Sequence, residues 1–166
     1  MVEDIVRGKG YLTLGSRMKR IGERLQGEVQ QLIDGRGVSI QAGHYPLLAC
    51  LDENGPLAIG DLAEALGVSQ PGVTRTVGQL ARQKVVAVRR GRQDQRTKLV
   101  ELTAGGRALV DEGRREIWPE IVSCLTEIME GRSGDLLAQL DALEDGLKAK
   151  SFAVRVAESA GNRNHD

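Results

Sequence analysis

Cysteine is scarce in this sequence: only Cys50 and Cys124 occur among its 166 residues. The two lie far apart and in no spacing that metal ligands use, which argues against a disulfide framework and against a zinc site. We therefore interpret both as buried thiols, and the sequence predicts no bound metal.

Histidine is equally rare, since His44 and His165 are the only two. With His165 at the end of the sequence, only His44 could serve as a histidine base. No nucleophile, carboxylate pair or phosphate-binding glycine loop accompanies it. We therefore expect that the protein is not an enzyme and that it needs no cofactor.

Long apolar runs are also absent. No segment approaches the roughly 18 consecutive apolar residues that a membrane-crossing helix needs. Residues 1–7 lack the basic start and the following apolar stretch that are typical of a secretory signal. We expect a cytoplasmic protein that does not associate with a membrane.

The formal net charge is zero, but the charges are unevenly distributed. Residues 69–98 contain 8 Lys and Arg against 1 acidic residue, whereas residues 1–68 contain 7 against 9 and residues 99–166 contain 8 against 13. A short basic segment in an otherwise acidic chain attracts phosphate groups locally. The alternative is an ordinary solvated charged surface.

The first long helix is predicted from Leu12 to Ile33, because its apolar residues recur at steps of three and four. Those residues are Met18, Ile21, Leu25, Val29 and Leu32. Gly22 and Gly27 weaken this helix, so we expect it to depend on packing against another element. A second helix is predicted from Ser39 to Glu53, with a kink or a later start at Pro46.

Residues 59–80 are predicted to form a helix, a tight turn and a second helix. Ser69 is a good N-cap, and Pro71 falls in the first turn, where its missing N–H would have had no intrahelical partner. The spacing buries Val73, Val77 and Leu80 on one stripe. The opposite face of this second helix is polar and cationic.

A β-hairpin is predicted next, because residues 85–90 and 97–102 are rich in β-formers and flank a polar tip at 91–95. Thr103 then caps a long helix that Pro119 is expected to bend and that residues 131–134 end. A last amphipathic helix follows, with one stripe made by Leu136, Leu140, Leu143 and Leu147.

This order of elements resembles the MarR family of bacterial regulators over nearly the whole chain. The local matches are Asp61-Leu62-Ala63, Leu66-Gly67-Val68-Ser69-Gln70-Pro71 and Val73-Thr74-Arg75 in the helix-turn-helix, and Asp94-Gln95-Arg96 with Leu102-Thr103-Ala104-Gly105-Gly106-Arg107 at the wing. Either set alone is only suggestive. Both together, in order and at the family's separation, are fairly specific.

The resemblance implies a mostly α fold with a small β-hairpin wing: a winged helix-turn-helix domain plus N- and C-terminal dimerisation helices. We expect an N-terminal dimerisation helix over 1–36, the winged domain over 37–103, C-terminal dimerisation helices over 104–158 and a disordered tail over 159–166. A homodimer would cover amphipathic helices that a small winged core cannot. The alternative is that these helices pack within one chain.

The resemblance also implies the residues that contact DNA. In the recognition helix they are Ser69, Gln70, Thr74, Arg75 and Gln79, and in the wing they are Arg89, Arg90, Arg92, Asp94, Arg96 and Lys98. Side chains near the start of the helix reach base edges in the major groove. Arg92 and Arg96 would enter the minor groove or bind its phosphates, with Asp94 orienting Arg96. The remaining cations would attract phosphates.

Members of the family often bind small aromatic or lipophilic compounds between the dimerisation helices and the winged domain. His44, Tyr45 and Trp118 are the candidate effector-binding residues here, with ordinary packing as the alternative. We therefore expect a sequence-specific regulator of transcription that binds double-stranded DNA: a ligand-responsive repressor acting as a homodimer on a near-palindromic operator. The alternative is a winged-helix module that binds proteins.

Overall fold

The computed structural model describes residues 2–38, 40–90 and 98–163, the last five of these by their backbone only. The α-helices are α1 (Ile5–Gly8), α2 (Leu14–Gly35), α3 (Tyr45–Asn54), α4 (Ile59–Leu66), α5 (Gln70–Arg82), α6 (Ala104–Glu112), α7 (Trp118–Met129), α8 (Leu136–Ala149) and α9 (Phe152–Arg163). Two 3-10 turns, Gly10–Thr13 and Ala42–His44, and a π-helical turn, Gly113–Ile117, connect some of them. The strands are β1 (Leu57–Ala58), β2 (Val86–Arg90) and β3 (Lys98–Leu102).

The prediction of a mostly helical fold with a small β-hairpin is confirmed. The sheet is larger than predicted, because β1 adds a third strand and the spatial order is β1-β3-β2 with both pairings antiparallel. Val86 lies opposite Leu102, and Val88 opposite Val100. Strand β1 escapes prediction because two residues are too few to show a period of two.

The chain forms two compact units, residues 1–125 and residues 126–166. The first has a continuous core to which α2, α3, α4, α5, the sheet and the π-helical turn each contribute buried side chains. Its largest fully buried side chains include Ile33, Leu48, Leu62, Leu80 and Ile117. This core fixes the helix-turn-helix and the hairpin on one scaffold.

The predicted later start of the second helix is confirmed. Helix α3 begins at Tyr45, which places Pro46 in the first turn, where a proline removes no intrahelical hydrogen bond. The 3-10 turn Ala42–His44 precedes it. The predicted cap Ser39 lies outside the described residues. As predicted, Leu47, Leu48 and Leu51 face the core.

Local signals also fix the helix-turn-helix. Gly67 has φ +63°, a left-handed conformation that favours glycine, and it ends α4. The Ser69 hydroxyl then accepts a hydrogen bond from Gly72 N at 3.3 Å, which caps α5 as predicted. Val73, Val77 and Leu80 are buried. The structure therefore confirms the predicted helix, turn and second helix, including the Ser69 cap.

Thr103 joins the hairpin to α6. Its hydroxyl donates to Lys84 O at 2.7 Å and accepts from Gly106 N at 3.1 Å, so one side chain bonds both the segment that follows α5 and the start of α6. Gly106 closely approaches Val85, the residue just before β2: a Cβ on Gly106 would lie 2.2 Å from Val85 O. Only glycine fits without moving the backbone.

Gly106→Ala is therefore expected to lower the free energy of unfolding by about 2–3 kcal/mol, because the added methyl group overpacks against a backbone carbonyl. The matched control is Gly105→Ala, where the nearest atoms to a Cβ are 3.7 Å and 3.8 Å away. That variant should be neutral or more stable by up to about 1 kcal/mol. Urea denaturation at one fixed protein concentration measures both, and equal stabilities would contradict this packing argument.

The helix after the wing is irregular where Pro119 was expected to bend it. Residues Gly113–Ile117 form a π-helical turn, in which Trp118 N donates to Gly113 O. Because Pro119 has no N–H and its ring crowds the preceding turn, a widened turn just before it accommodates the ring. The deviation therefore lies directly before the proline.

The second unit contains the end of α7, then α8 and α9. Asp135 caps α8 by accepting from Leu137 N and Ala138 N, after the predicted break at 131–134. The predicted helix with the stripe from Leu136 to Leu147 is confirmed as α8, and α9 is a further helix that the sequence analysis did not predict. The predicted tail, 159–166, begins inside α9.

The prediction of two buried thiols is wrong. Cys124 is exposed and Cys50 is only partly buried. Cys124 lies on the outward face of α7. The stripe of Ile117, Ile121 and Leu125 in the sequence does not determine whether that face is covered.

Across the described ranges, no helix combines the length and the apolar character that crossing a bilayer requires.

Candidate nucleic-acid interface

Helix α5 has a buried apolar stripe and an exposed polar face. The buried stripe holds α5 against the core, while Ser69, Gln70, Thr74 and Arg75 are all exposed. These four residues occupy the N-cap and the first two turns. The structure therefore brings together four of the five residues that the sequence predicts for this helix.

Two of the four have backbone partners that fix their side chains. Ser69 caps the helix through Gly72 N, and the Thr74 hydroxyl donates to Gln70 O at 2.9 Å. Arg75 has no ion pair among the described residues. Its guanidinium is the strongest hydrogen-bond donor on this face that is available to an anion or a base edge.

Gln79 differs from the other predicted residues. It lies one turn after Arg75 on α5 and is partly buried, whereas the other four are exposed. The sequence pattern placed it on the free face.

The hairpin adds cations beside this helix. Arg90 and Lys98 are exposed and lie opposite each other in the β2–β3 register. Arg89 Nε instead pairs with Glu101 Oε2 at 2.8 Å across the hairpin, so part of its charge is neutralised. The predicted tip residues Arg92, Asp94 and Arg96 lie outside the described residues.

The electrostatic character of this surface is consistently positive. From residue 69 to residue 93 the sequence contains no Asp or Glu. Arg75, Arg82, Lys84 and Arg90 in this stretch are exposed. Lys84 adopts φ +61°, and Val85 N donates to Leu80 O at 2.9 Å, which ends the helix and directs the chain into β2. The surface can bind a polyanion.

The three predicted effector residues lie in the first unit. The Tyr45 and Trp118 rings meet edge to face, with centroids 6.3 Å apart and an interplanar angle of 83°. His44 and Tyr45 are both buried, and neither His44 Nδ1 nor Tyr45 Oη has a partner among the described residues. Burial, and then the nearby charge of Glu112, raises the pKa of Tyr45.

Sequence reasoning missed two long-range ion pairs in the first unit, one of them beside Trp118. The Arg114 guanidinium lies 5.8 Å from the Trp118 ring centroid and pairs with Asp52 at 2.5 Å. Arg36 Nη2 lies 2.6 Å from Glu120, whereas its Nη1 is buried without a partner among the described residues. These pairs join residues that are 62 and 84 positions apart, and no local pattern predicts them.

Comparison with known proteins shows what this arrangement is similar to. The model of the MarR family matches residues 36–97. Among solved structures, a cysteine-to-serine mutant of MarR from E. coli in complex with operator DNA is 19% identical, with a TM-score of 0.68, covering 87% of this chain and 99% of that one.

Two further structures are similar over most of the chain. BpsR of Bordetella bronchiseptica, whose DNA binding is regulated by 6-hydroxynicotinic acid, is 26% identical with a TM-score of 0.60, covering 83% of this chain and 92% of its own. The transcriptional regulator BldR of Sulfolobus solfataricus is 21% identical with a TM-score of 0.62, and the match covers 90% of this chain and 100% of the BldR chain.

Proposed function

We propose that this chain, which belongs to the MarR family of DNA-binding transcriptional regulators, is a homodimeric repressor that binds a near-palindromic operator. The observation that supports this most strongly is the exposed start of α5, with Arg75 unpaired among the described residues and flanked by cations on the hairpin. A helix of this kind fits the major groove.

In this proposal α5 reads sequence and the hairpin binds the backbone. Ser69, Gln70, Thr74 and Arg75 face base edges or the flanking phosphates. Arg75 is the main contact, because a guanidinium can bond guanine in a bidentate way. Gln79 lies one turn further along the helix and is partly buried, so its contact with DNA would be smaller.

The wing contacts of the proposal are Arg90 and Lys98, together with Arg92, Asp94 and Arg96 at the tip. Cations at these positions neutralise phosphates and insert into or beside the minor groove. Arg89 contributes less to phosphate binding than the other cations, because Glu101 competes with phosphate for its guanidinium.

The dimer follows from apolar surface that one chain leaves uncovered. Met18, Ile21 and Leu25 are 36%, 48% and 40% exposed on one face of α2. In the second unit no described side chain is buried, although α8 and α9 expose Leu136, Leu137, Leu147, Phe152, Val154 and Val156. Contact with a second copy would bury such stripes. We therefore keep 1–36 and 104–158 as dimerisation segments around the winged domain 37–103.

Two-fold symmetry then determines the form of the operator. The two copies of α5 would enter successive major grooves on one side of the duplex, with half-sites about one helical turn apart. Repression follows when such a site overlaps a promoter. The cytoplasmic location that the sequence predicts is consistent with this role.

We further propose a small aromatic effector that binds near His44, Tyr45 and Trp118. The unpartnered Tyr45 Oη and His44 Nδ1 offer polar contacts within an aromatic surrounding, as an effector of this class requires. Arg36 Nη1 offers a charged donor in the same unit. The similarity to BpsR is consistent with such a ligand.

Glu101→Gln is expected to strengthen DNA binding by up to about 1 kcal/mol, because it frees Arg89 for phosphate at a half-exposed site. The slope of log affinity against log salt should also steepen by about 1 per released cation. Fluorescence anisotropy with one duplex at several salt concentrations measures both. Glu116→Gln, which alters another exposed carboxylate beside an arginine, is the control, and equal effects of the two substitutions would contradict the role of Arg89.

The experiment that tests the proposed function is selection of bound fragments from a pool of host genomic DNA. We expect recovered fragments to share a near-palindromic motif and the protein to footprint two half-sites on one face of the duplex. A winged helix that binds proteins would recover no shared motif. That result would contradict DNA-dependent regulation.

A further inference from the structure

We propose that Gln30 is a positioning residue: its side chain holds residues 40–44 against α2 and so sets the orientation in which the winged domain presents α5 to DNA. We call residues 40–44, which lead into α3, the connector. The inference rests on the proposed function, because it concerns how a dimer holds its two copies of α5. All of its residues lie within the first unit.

The Gln30 amide makes three hydrogen bonds. Its Oε1 accepts from Ala42 N at 2.7 Å, and its Nε2 donates to Ile40 O at 3.1 Å. The same Nε2 donates to Asp34 Oδ1 at 2.8 Å, one turn further along α2. Because a carboxylate only accepts hydrogen bonds, Asp34 turns the amide nitrogen toward itself and leaves the amide oxygen for Ala42.

The connector depends on this side chain. Ile40 is buried, and the bonds from Gln30 to Ile40 O and from Ala42 N to Gln30 are both partly buried. Neither backbone group lies in a strand that could pair it. Without the Gln30 amide, both groups would need another partner or would remain unpaired where water reaches them poorly.

Apolar packing alone does not fix the connector on α2. Ile33 of α2 and Ile40 of the connector belong to the same buried core. The hydrophobic effect is not directional, so this contact holds the two segments together without setting the angle between them. Hydrogen bonds are directional, and the pair that Gln30 makes with two nearby backbone groups forms in one register only. Gln30 therefore determines how the connector lies on α2.

The connector passes this orientation on to α5. Its 3-10 turn, Ala42–His44, runs directly into α3. Helix α3 buries Leu48 in the core that also contains Leu80 of α5, and a close-packed core transmits displacements. Helix α2, on the other side, carries the apolar face that the proposed function assigns to the second copy. Gln30 thus lies between the dimer contact and the helix that reads DNA.

The first test compares operators that differ in half-site spacing. Gln30→Met keeps the length of the side chain but removes the amide. By fluorescence anisotropy, its affinity for the operator that the wild type selects should fall roughly three- to tenfold. With one base pair inserted between the half-sites, the wild type should lose at least about 30-fold and Gln30→Met less than about tenfold, because loosely held copies of α5 adapt to the new spacing.

The ratio of the two affinities separates positioning from stability. A variant that is only less stable has a smaller folded fraction, which lowers both affinities by the same factor. Gln26→Met is the matched control, because Gln26 lies one turn earlier on α2 with its side chain beside Gly43 of the connector. No hydrogen bond joins Gln26 to the connector among the described residues, so this variant should keep both affinities. Wild-type spacing discrimination in Gln30→Met would overturn the inference.

A second variant covers the case in which Gln30→Met does not fold by circular dichroism. Gln30→Glu can still accept from Ala42 N, but it cannot donate to Ile40 O and it repels Asp34. Its discrimination between the two spacings should be at least roughly threefold smaller than that of the wild type. An unchanged ratio in Gln30→Glu would contradict the positioning role in the same way.

A measurement without DNA distinguishes this inference from the proposed function. Spin labels at Glu23→Cys on α2 and Arg82→Cys on α5, both exposed, report one distance within a chain that also carries Cys50→Ser and Cys124→Ser. Dilution with unlabelled protein removes distances between chains. By double electron–electron resonance, Gln30→Met should broaden the distance distribution roughly twofold. If no duplex is selected while the distribution broadens, the proposed function fails and the positioning role stands. Equal widths would overturn the positioning role.

Discussion

Arg75→Ala is expected to weaken binding to the selected operator by about 1–3 kcal/mol, a loss of roughly 5- to 150-fold at one salt concentration. The reason is geometric. Arg75 is exposed on the second turn of α5, above a stripe of buried valines that holds the helix in place. Truncation therefore removes the guanidinium without disturbing the packing of the helix. Anisotropy at fixed salt gives the two affinities.

Two further variants make the result specific. Arg75→Lys keeps the charge but loses the bidentate fork, so it should recover nonspecific binding and only part of the specificity. Arg115→Ala removes an exposed arginine outside the proposed surface and should bind as the wild type does. Wild-type affinity in Arg75→Ala would exclude α5 as the recognition helix.

Ile21→Glu is expected to convert the dimer into a monomer and to weaken operator binding by about 100-fold or more, because each monomer then binds a single half-site. Ile21 is 48% exposed on the apolar face of α2. A carboxylate there would be buried unpaired if a second copy covered this face. Sedimentation velocity gives the oligomeric state, and anisotropy gives the affinity.

Gln31→Glu is the matched control for this substitution. Gln31 is exposed on the same helix, about 80° around the axis from Ile21 and outside the stripe of Met18, Ile21 and Leu25, so the added charge should leave both the dimer and the affinity unchanged. Circular dichroism should show that both variants keep their helices. A dimeric Ile21→Glu that binds normally would contradict the proposed interface on α2.

Most of the fold could be predicted from the sequence because local signals specify it. The caps Ser69 and Thr103 and the left-handed Gly67 mark helix boundaries within a few residues of the hydrogen bonds they make. The buried stripe of α5 follows from the 3.6-residue period. Such features depend on near neighbours in the chain, so one sequence is enough to locate them.

The remainder depends on contacts between distant residues. Gln79 has the spacing of a solvent-facing residue on α5, and only the fold shows that it is partly buried. Glu101 looks like an ordinary strand residue until the register places it beside Arg89. The exposure of Cys124 likewise depends on which face of α7 is covered. These details affect the site more than the fold.

In the proposed function, two copies of the exposed start of α5 and of the cationic hairpin bind one DNA duplex. The most direct test is an anisotropy titration of the selected operator over a range of salt concentrations, with the stoichiometry measured at saturation. We predict two chains per duplex and a slope of log affinity against log salt of about −5 or steeper, since each phosphate contact contributes about −0.9. A slope near zero, or saturation by one chain, would contradict DNA binding by a dimer.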